Sequence, residues 1–193
     1  MKIGILGGTF DPPHMGHILL AKHACEACGL DKLLLMPAAN PPHKKRITPG
    51  HHRLHMARLV AEEYGFELCD LEYKKQTPSY TFETMQYMNE KYPEDKLYFI
   101  IGSDSMLDFE KWYRWKELVK MCGFIVGVRK EGDFEKVSRV AEEKKQRFGA
   151  EIYVMKYPPL EVSSTEIRSG NGEEDIPPCI RDYIKANKLY LKE

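Results

Sequence analysis

Apolar and polar positions along this chain alternate between two rhythms. Short apolar runs, Lys2–Leu6, Lys32–Met36, Phe66–Leu71, Lys96–Ile101, Phe124–Arg129 and Glu151–Met155, each give way to a longer amphipathic stretch. The runs start at residues 2, 32, 66, 96, 124 and 151, so they are spaced 27 to 34 residues apart, close to the ~30 of a strand–helix–strand unit. Ile100–Ile101 and Phe124–Val126 are apolar at consecutive positions, as in strands buried on both faces. Between the runs, Ile18, Ala21, Cys25 and Cys28 fall on one helical face and Gly29 supplies a stop. Thr48-Pro49 predicts an N-cap followed by an N1 proline, with Gly65 closing that helix. Asp133–Phe148 reads as a solvent-facing helix, and Pro177-Pro178 opens a short last helix through Asn187. The pattern predicts a single α/β domain over residues 1–193: a Rossmann-like, mostly parallel sheet with right-handed crossovers and helices on both faces.

Open parallel sheets bind ligands beyond the carboxyl ends of their strands. The chemistry is therefore expected in Gly7–His17, Pro37–Arg46, Glu72–Thr81, Gly102–Trp115, the loop after Arg129, and Lys156–Arg168. Charge narrows the partners. Twenty-nine basic and 29 acidic residues cancel, which argues against a general nucleic-acid or membrane-surface binder. No apolar run approaches the ~18–20 residues of a membrane span, and no signal segment opens the chain. Five cysteines without framework spacing suit a reducing compartment. The expectation is a cytoplasmic protein that starts at Met1.

The first loop carries Gly7-Gly8-Thr9-Phe10-Asp11-Pro12-Pro13-His14-Met15-Gly16-His17 and leads into a helix. Glycines allow a backbone to approach a ligand closely, and a helix start offers N–H groups and a positive dipole end to phosphate. His14 and His17, three apart, can project from the same side of that start and donate to phosphate oxygens. Neither G-x-x-x-x-G-K-[ST] nor G-x-G-x-x-G occurs, so this is a different phosphate design from those two. Near the other end, Ser163-x-x-Glu166 forms a capping box, and Arg168 early in the following helix can grip phosphate bidentately. Lys44 follows the same argument, within the basic cluster His43-Lys44-Lys45-Arg46. Lys45 and Arg46 read as solvated surface. Trp112, beyond the fourth strand, offers a flat face where a ligand should lie.

These residues resemble a known family. Thr9-Phe10-Asp11-Pro12-Pro13-His14-Met15-Gly16-His17 is similar to the T/S-F-D-P-x-H-x-G-H signature of the nucleotidyltransferase superfamily, related in fold to class I aminoacyl-tRNA synthetases. Ser163-Ser164-Thr165-Glu166-Ile167-Arg168 looks like its S-S-T-x-I-R signature. The resemblance continues in Pro41-Pro42-His43-Lys44, Pro78-Ser79-Tyr80-Thr81-Phe82, Ile101-Gly102-Ser103-Asp104 and Lys111-Trp112-Tyr113. That set resembles the bacterial nicotinate-nucleotide adenylyltransferases over nearly the whole chain. Glu83 departs from the Asp usual in that family.

The resemblance implies adenylyl transfer from ATP, entering with Mg²⁺, to nicotinate mononucleotide. The mononucleotide phosphate would attack the α-phosphate directly and in line. His14, His17, Lys44 and Arg168 would be catalytic: the histidines at the α-phosphate, Lys44 and Arg168 on the leaving pyrophosphate. Gly7, Gly8, Thr9, Gly102, Asp104, Ser164 and Thr165 would complete the ATP site, with Gly102 and Asp104 at the ribose. Thr81, Trp112, Tyr113 and Lys44 would bind the mononucleotide, with the Thr81 hydroxyl and the Tyr113 N–H reading the pyridine carboxylate. No protein metal ligand is expected. A homo-oligomer stays open. Two competing readings remain: phosphopantetheine adenylyltransferase, which shares both signatures, and a non-catalytic nucleotide sensor on the same fold.

Three features read as bystanders. Cys25 and Cys28 match C-x-x-C but sit inside a helical pattern, and are expected as two buried thiols. His51 and His55 have metal-ligand spacing without the glutamate of H-E-x-x-H. Trp115 reads as core.

Overall fold

In chain order the elements are β1 (Lys2–Gly8), α1 (Met15–Cys28), β2 (Lys32–Pro37), α2 (Gly50–Tyr64), β3 (Glu67–Leu68), α3 (Leu71–Lys74), α4 (Thr81–Lys91), β4 (Lys96–Gly102), α5 (Ser103–Leu107), α6 (Trp115–Leu118), β5 (Gly123–Val128), α7 (Phe134–Phe148), β6 (Ile152–Lys156), α8 (Ser164–Arg168) and α9 (Pro178–Ala186). The computed structural model describes residues 1–38, 47–74, 80–158, 160 and 162–190. The strands form one six-stranded sheet in the order β3-β2-β1-β4-β5-β6. Every pairing with a described register is parallel, including Leu6 against Ile100 and Gly102 against Gly127. The order reverses between β1 and β4, and the carboxyl ends of such a pair are where this architecture accepts ligands.

The chain divides into two interleaved compact units. The first comprises Met1–Gly7, Leu20–Leu33 and Tyr80–Pro159. Its core is Ile3, Ile5, Phe99, Ile100, Phe124, Ile125 and Val126, fully or almost fully buried, which explains the consecutive apolar positions in β4 and β5. The second comprises Gly8–Leu19, Leu34–Ser79 and Leu160–Glu193. Here α2 buries Met56, Ala57, Val60 and Ala61, and α9, which buries Ile180 and Ile184, packs against it. Gly65 ends α2 at φ 72°, a left-handed position that glycine adopts at low cost.

Several boundaries differ from expectation. The strand expected over Phe66–Leu71 is only Glu67–Leu68; Asp70 then turns the chain into α3, its carbonyl accepting from the Lys74 N–H at 3.1 Å. Pro49, not Thr48, is the N-cap of α2, and no side chain caps that helix. The polar groups of Thr48 are used elsewhere: its N–H donates to the Asp11 carboxylate and its carbonyl accepts from Arg53. The helix expected to face solvent, α7, buries Val137, Ala141 and Lys144 along one stripe. Trp115 is half-buried rather than core, edge-on to Phe148 at 4.8 Å. Cys25 and Cys28 are likewise half-buried.

Candidate active site

The turn after β1 is built to hold two imidazoles together. Phe10 is buried at φ 50°, in the left-handed region that non-glycine residues seldom occupy. It meets the His17 ring edge-on at 5.0 Å. His14 precedes α1, and its carbonyl accepts from the His17 N–H at 2.9 Å. The His14 backbone N–H in turn donates to His17 Nδ1 at 3.1 Å. With Nδ1 an acceptor, the proton of a neutral His17 ring sits on Nε2. The two ring centroids are 3.7 Å apart. Gly16 leaves room for this: a Cβ there would crowd His14 Nδ1 at 3.0 Å and Val162 at 3.3 Å. The glycines at the end of β1 serve the protein's own rings as well as any ligand. A Cβ on Gly7 would meet Phe99 at 2.8 Å, and one on Gly8 would meet Phe10 at 3.0 Å.

Two buried charges brace the turn. The Asp11 carboxylate, 1% exposed, accepts from the Thr48 N–H (3.2 Å) and the Tyr190 hydroxyl (2.8 Å). Burial pushes the Tyr190 phenol far above its ordinary range, so it remains a donor. Arg53, also 1% exposed, donates to three carbonyls: Thr48 (2.9 Å), Thr9 (2.9 Å) and Ala38 (2.6 Å). Burial lowers its pKa and the Asp11 charge opposes that, and a guanidinium stays protonated under such a shift. Arg53 was not singled out from the sequence, although a signal existed. It occupies an apolar phase of α2, in step with Met56, Ala57, Val60 and Ala61.

The helix α8 is fastened to the same turn. Ser163 caps it, accepting from the Glu166 N–H at 3.2 Å. Ser164 donates to the Pro12 carbonyl at 2.9 Å. Arg168 donates to the Asp11 carbonyl at 2.6 Å and to the Thr165 hydroxyl at 3.0 Å, with its guanidinium 3.8 Å from the Asp11 carboxylate. Anchoring thus occupies two of the five guanidinium N–H groups. Thr9, His14, His17, Ser164, Thr165 and Arg168 are therefore gathered in the second unit.

Gly8 also lies in the second unit, while the first unit carries Gly7, Thr81, Gly102, Asp104, Trp112 and Tyr113. Gly102 ends β4, with nothing within 4 Å of where its Cβ would stand, and Asp104 is exposed in the first turn of α5. Trp112 is half-buried, its ring 5.3 Å from Phe109 and 6.1 Å from Phe99. Tyr113 is 50% exposed and lies 5.0 Å from Tyr80 and edge-on to Phe82 at 6.1 Å. Thr81 opens α4 between Tyr80 and Phe82. Lys44 and Ser79 lie outside the described residues. Among the described residues, no group of three or more His, Cys, Asp or Glu could hold a metal ion. Burial raises the Cys25 and Cys28 thiols above their usual pKa, the reverse of an activated thiolate. His52 and His55 engage Tyr183 of α9, by a 2.7 Å hydrogen bond and a stacked ring at 4.4 Å. No helix among the described residues is long and apolar enough to cross a membrane.

Residues 5–170 match the cytidylyltransferase-like family. A probable nicotinate-nucleotide adenylyltransferase of Carboxydothermus hydrogenoformans is 39% identical over 98% of both chains. The chain belongs to the nicotinate-nucleotide adenylyltransferase family. It is thereby an α/β nucleotidyltransferase. A second such adenylyltransferase relative, from Shewanella baltica, is 35% identical over 99% of this chain and all of its own. Among solved structures, Plasmodium falciparum nicotinic acid mononucleotide adenylyltransferase complexed with NaAD superposes with a TM-score of 0.78 at 25% identity, over 98% of this chain and 97% of its own. The same enzyme complexed with APC, at 24% identity and a TM-score of 0.76, shares the fold.

The brace around the turn of this adenylyltransferase is testable. Arg53→Leu leaves three inward carbonyls without their donor and the Asp11 charge without its Arg53 counterpart. Urea unfolding of the variant should show a loss of about 3–5 kcal/mol. A loss below about 1 kcal/mol would show that Arg53 does not brace the turn.

Proposed function

We propose that this enzyme transfers the adenylyl group of ATP to nicotinate mononucleotide, giving nicotinate adenine dinucleotide and pyrophosphate, a step of NAD biosynthesis. The observation that carries this reading is the full-length match to nicotinate-nucleotide adenylyltransferases, at 39% identity over 98% of both chains. An oxygen of the mononucleotide phosphate attacks the α-phosphorus. The bond to the bridging oxygen of the β-phosphate breaks, and pyrophosphate leaves with that electron pair. The attacking oxygen is already anionic at neutral pH, so no side chain must activate it, and catalysis reduces to positioning and charge stabilisation.

In this reading His14 and His17 donate to the α-phosphate as charge builds. The His17 proton on Nε2 and the 3.7 Å ring spacing support that role. Arg168 and Lys44 hold the pyrophosphate, Ser164 and Thr165 line the ATP site, and the backbone of Gly7, Gly8 and Thr9 follows the nucleotide. Gly102 and Asp104 meet the ribose; the open space over Gly102 supports an approach there. Trp112 stacks on the pyridine ring, while the Thr81 hydroxyl and the Tyr113 N–H read its carboxylate. Magnesium enters as MgATP. The buried Asp11 carboxylate is committed to Thr48 and Tyr190, so the nucleotide's own phosphate oxygens are the natural ligands for this hard cation. One working domain over residues 1–193 and a cytoplasmic setting belong to the same reading, and five cysteines without framework spacing support the latter.

Pyrophosphate release from ATP, measured with nicotinate mononucleotide, nicotinamide mononucleotide and phosphopantetheine, separates the readings. An amide leaves one protein donor facing its NH₂, and a lost buried pairing costs ~1–3 kcal/mol, so the acid should be preferred at least about tenfold. A best rate with phosphopantetheine, or no turnover with any acceptor, would reject the proposal. Replacing His17 with Ala should lower turnover about 10²–10³-fold while circular dichroism stays near wild type. Near wild-type turnover would remove the histidine pair from the mechanism.

A further inference from the structure

We infer that Arg114 is a positioning residue that fixes the spacing between Thr81–Phe82 and Trp112–Tyr113, and so sets mononucleotide affinity and acid-over-amide preference. The inference rests on the ring site proposed above. Arg114 follows Tyr113 directly and sits at φ 52°, ψ 37°, a left-handed conformation unfavourable for a residue with a long side chain. Its carbonyl accepts from the N–H groups of Glu117 and Leu118, both at 3.0 Å, which starts α6. Its guanidinium forks onto the Glu117 carboxylate: Nε lies 2.7 Å from Oε1, and Nη2 pairs with Oε2. The same planar group lies over the Phe82 ring, 4.0 Å from its centroid. Phe82 is 7% exposed and adjoins Thr81, so it is a fixed point on α4.

Stability alone gives little reason for a left-handed arginine here. Exposed Arg–Glu pairs contribute little to folding, and the backbone conformation opposes it. The consequence is geometric. One side chain ties the Trp112–Tyr113 segment to the first turn of α4. The other end of that segment is tied as well: Glu110 pairs with Lys144, which is 3% exposed and places its ammonium 5.2 Å from the Trp115 ring centre. Telling a carboxylate from an amide requires two donors that hold their positions. A carboxylate offers two acceptors, an amide only one, and a segment free to shift would accommodate either.

The test is Arg114→Gly, because glycine adopts the left-handed backbone without strain and removes only the latch. The KM for nicotinate mononucleotide should rise about three- to fivefold, with the KM for ATP within about twofold of wild type. The ratio of kcat/KM for acid over amide should fall at least about threefold. Arg114→Lys keeps the charge but loses the fork and the flat stack, and should behave like the glycine variant. Wild-type behaviour of the lysine variant would make the effect one of charge and overturn the inference. Trp112→Ala is the reference. If it weakens both mononucleotides while Arg114→Gly alters neither KM nor the ratio, the inference fails and the ring site stands. If Trp112→Ala leaves both unchanged, the ring site fails and the inference with it.

Discussion

The turn after β1 depends on a buried charge, the Arg53 guanidinium, whose residue is 1% exposed. Burying a guanidinium is costly unless its donors are met, and Arg53 meets that demand with carbonyls from three separate segments: Thr9, Ala38 and Thr48. None of the three can turn away without leaving a buried donor unpaired. Asp11 works in the opposite sense, collecting a backbone N–H and a phenol around a buried carboxylate. The turn is thus held from both electrostatic directions. In the mechanism proposed above, which acts by placing donors, that rigidity matters because misplacement by about 1 Å can cost about 10²-fold in rate.

The proposed acceptor site uses different physics. Around Trp112 and Tyr113 the contacts are mostly ring against ring, from Phe99, Phe109, Tyr80 and Phe82. Aromatic faces give contact area with little direction, which suits a pyridine ring but cannot read its substituent. Direction has to come from hydrogen-bond donors on well-placed backbone. That is why the left-handed residue at Arg114, rather than a charge aimed at the ligand, bears on selectivity in this account.

Much of this was legible in the sequence because it rests on local rules. Runs spaced near thirty residues gave the six parallel strands, and the capping pattern at Ser163 located α8. The failures share a cause: tertiary partners reassigned locally plausible groups. Thr48 has the chemistry of a cap, but Asp11 and Arg53 claim its N–H and carbonyl, so α2 starts without one. Leu71 continues an apolar run, but Asp70 starts a helix first. Gly16 is one letter in a signature; only the His14 ring beside it shows why a side chain there would crowd the imidazole. Arg53 carried a readable signal, a charge at a core phase of a helix, but its three acceptors lie far apart in sequence.

The central claim is that the substrate oxygen attacks ATP directly, with His14 and His17 acting as donors and not as nucleophiles. Two imidazoles beside a reacting phosphate could in principle form an adenylyl-histidine, which makes the distinction a real one. The decisive measurement is the stereochemical course at the α-phosphorus, using ATP with a single sulfur-substituted α-phosphate diastereomer and nicotinate mononucleotide. One in-line displacement predicts a product of inverted configuration. Retention would reveal two successive displacements through a covalent enzyme intermediate, and would contradict the account.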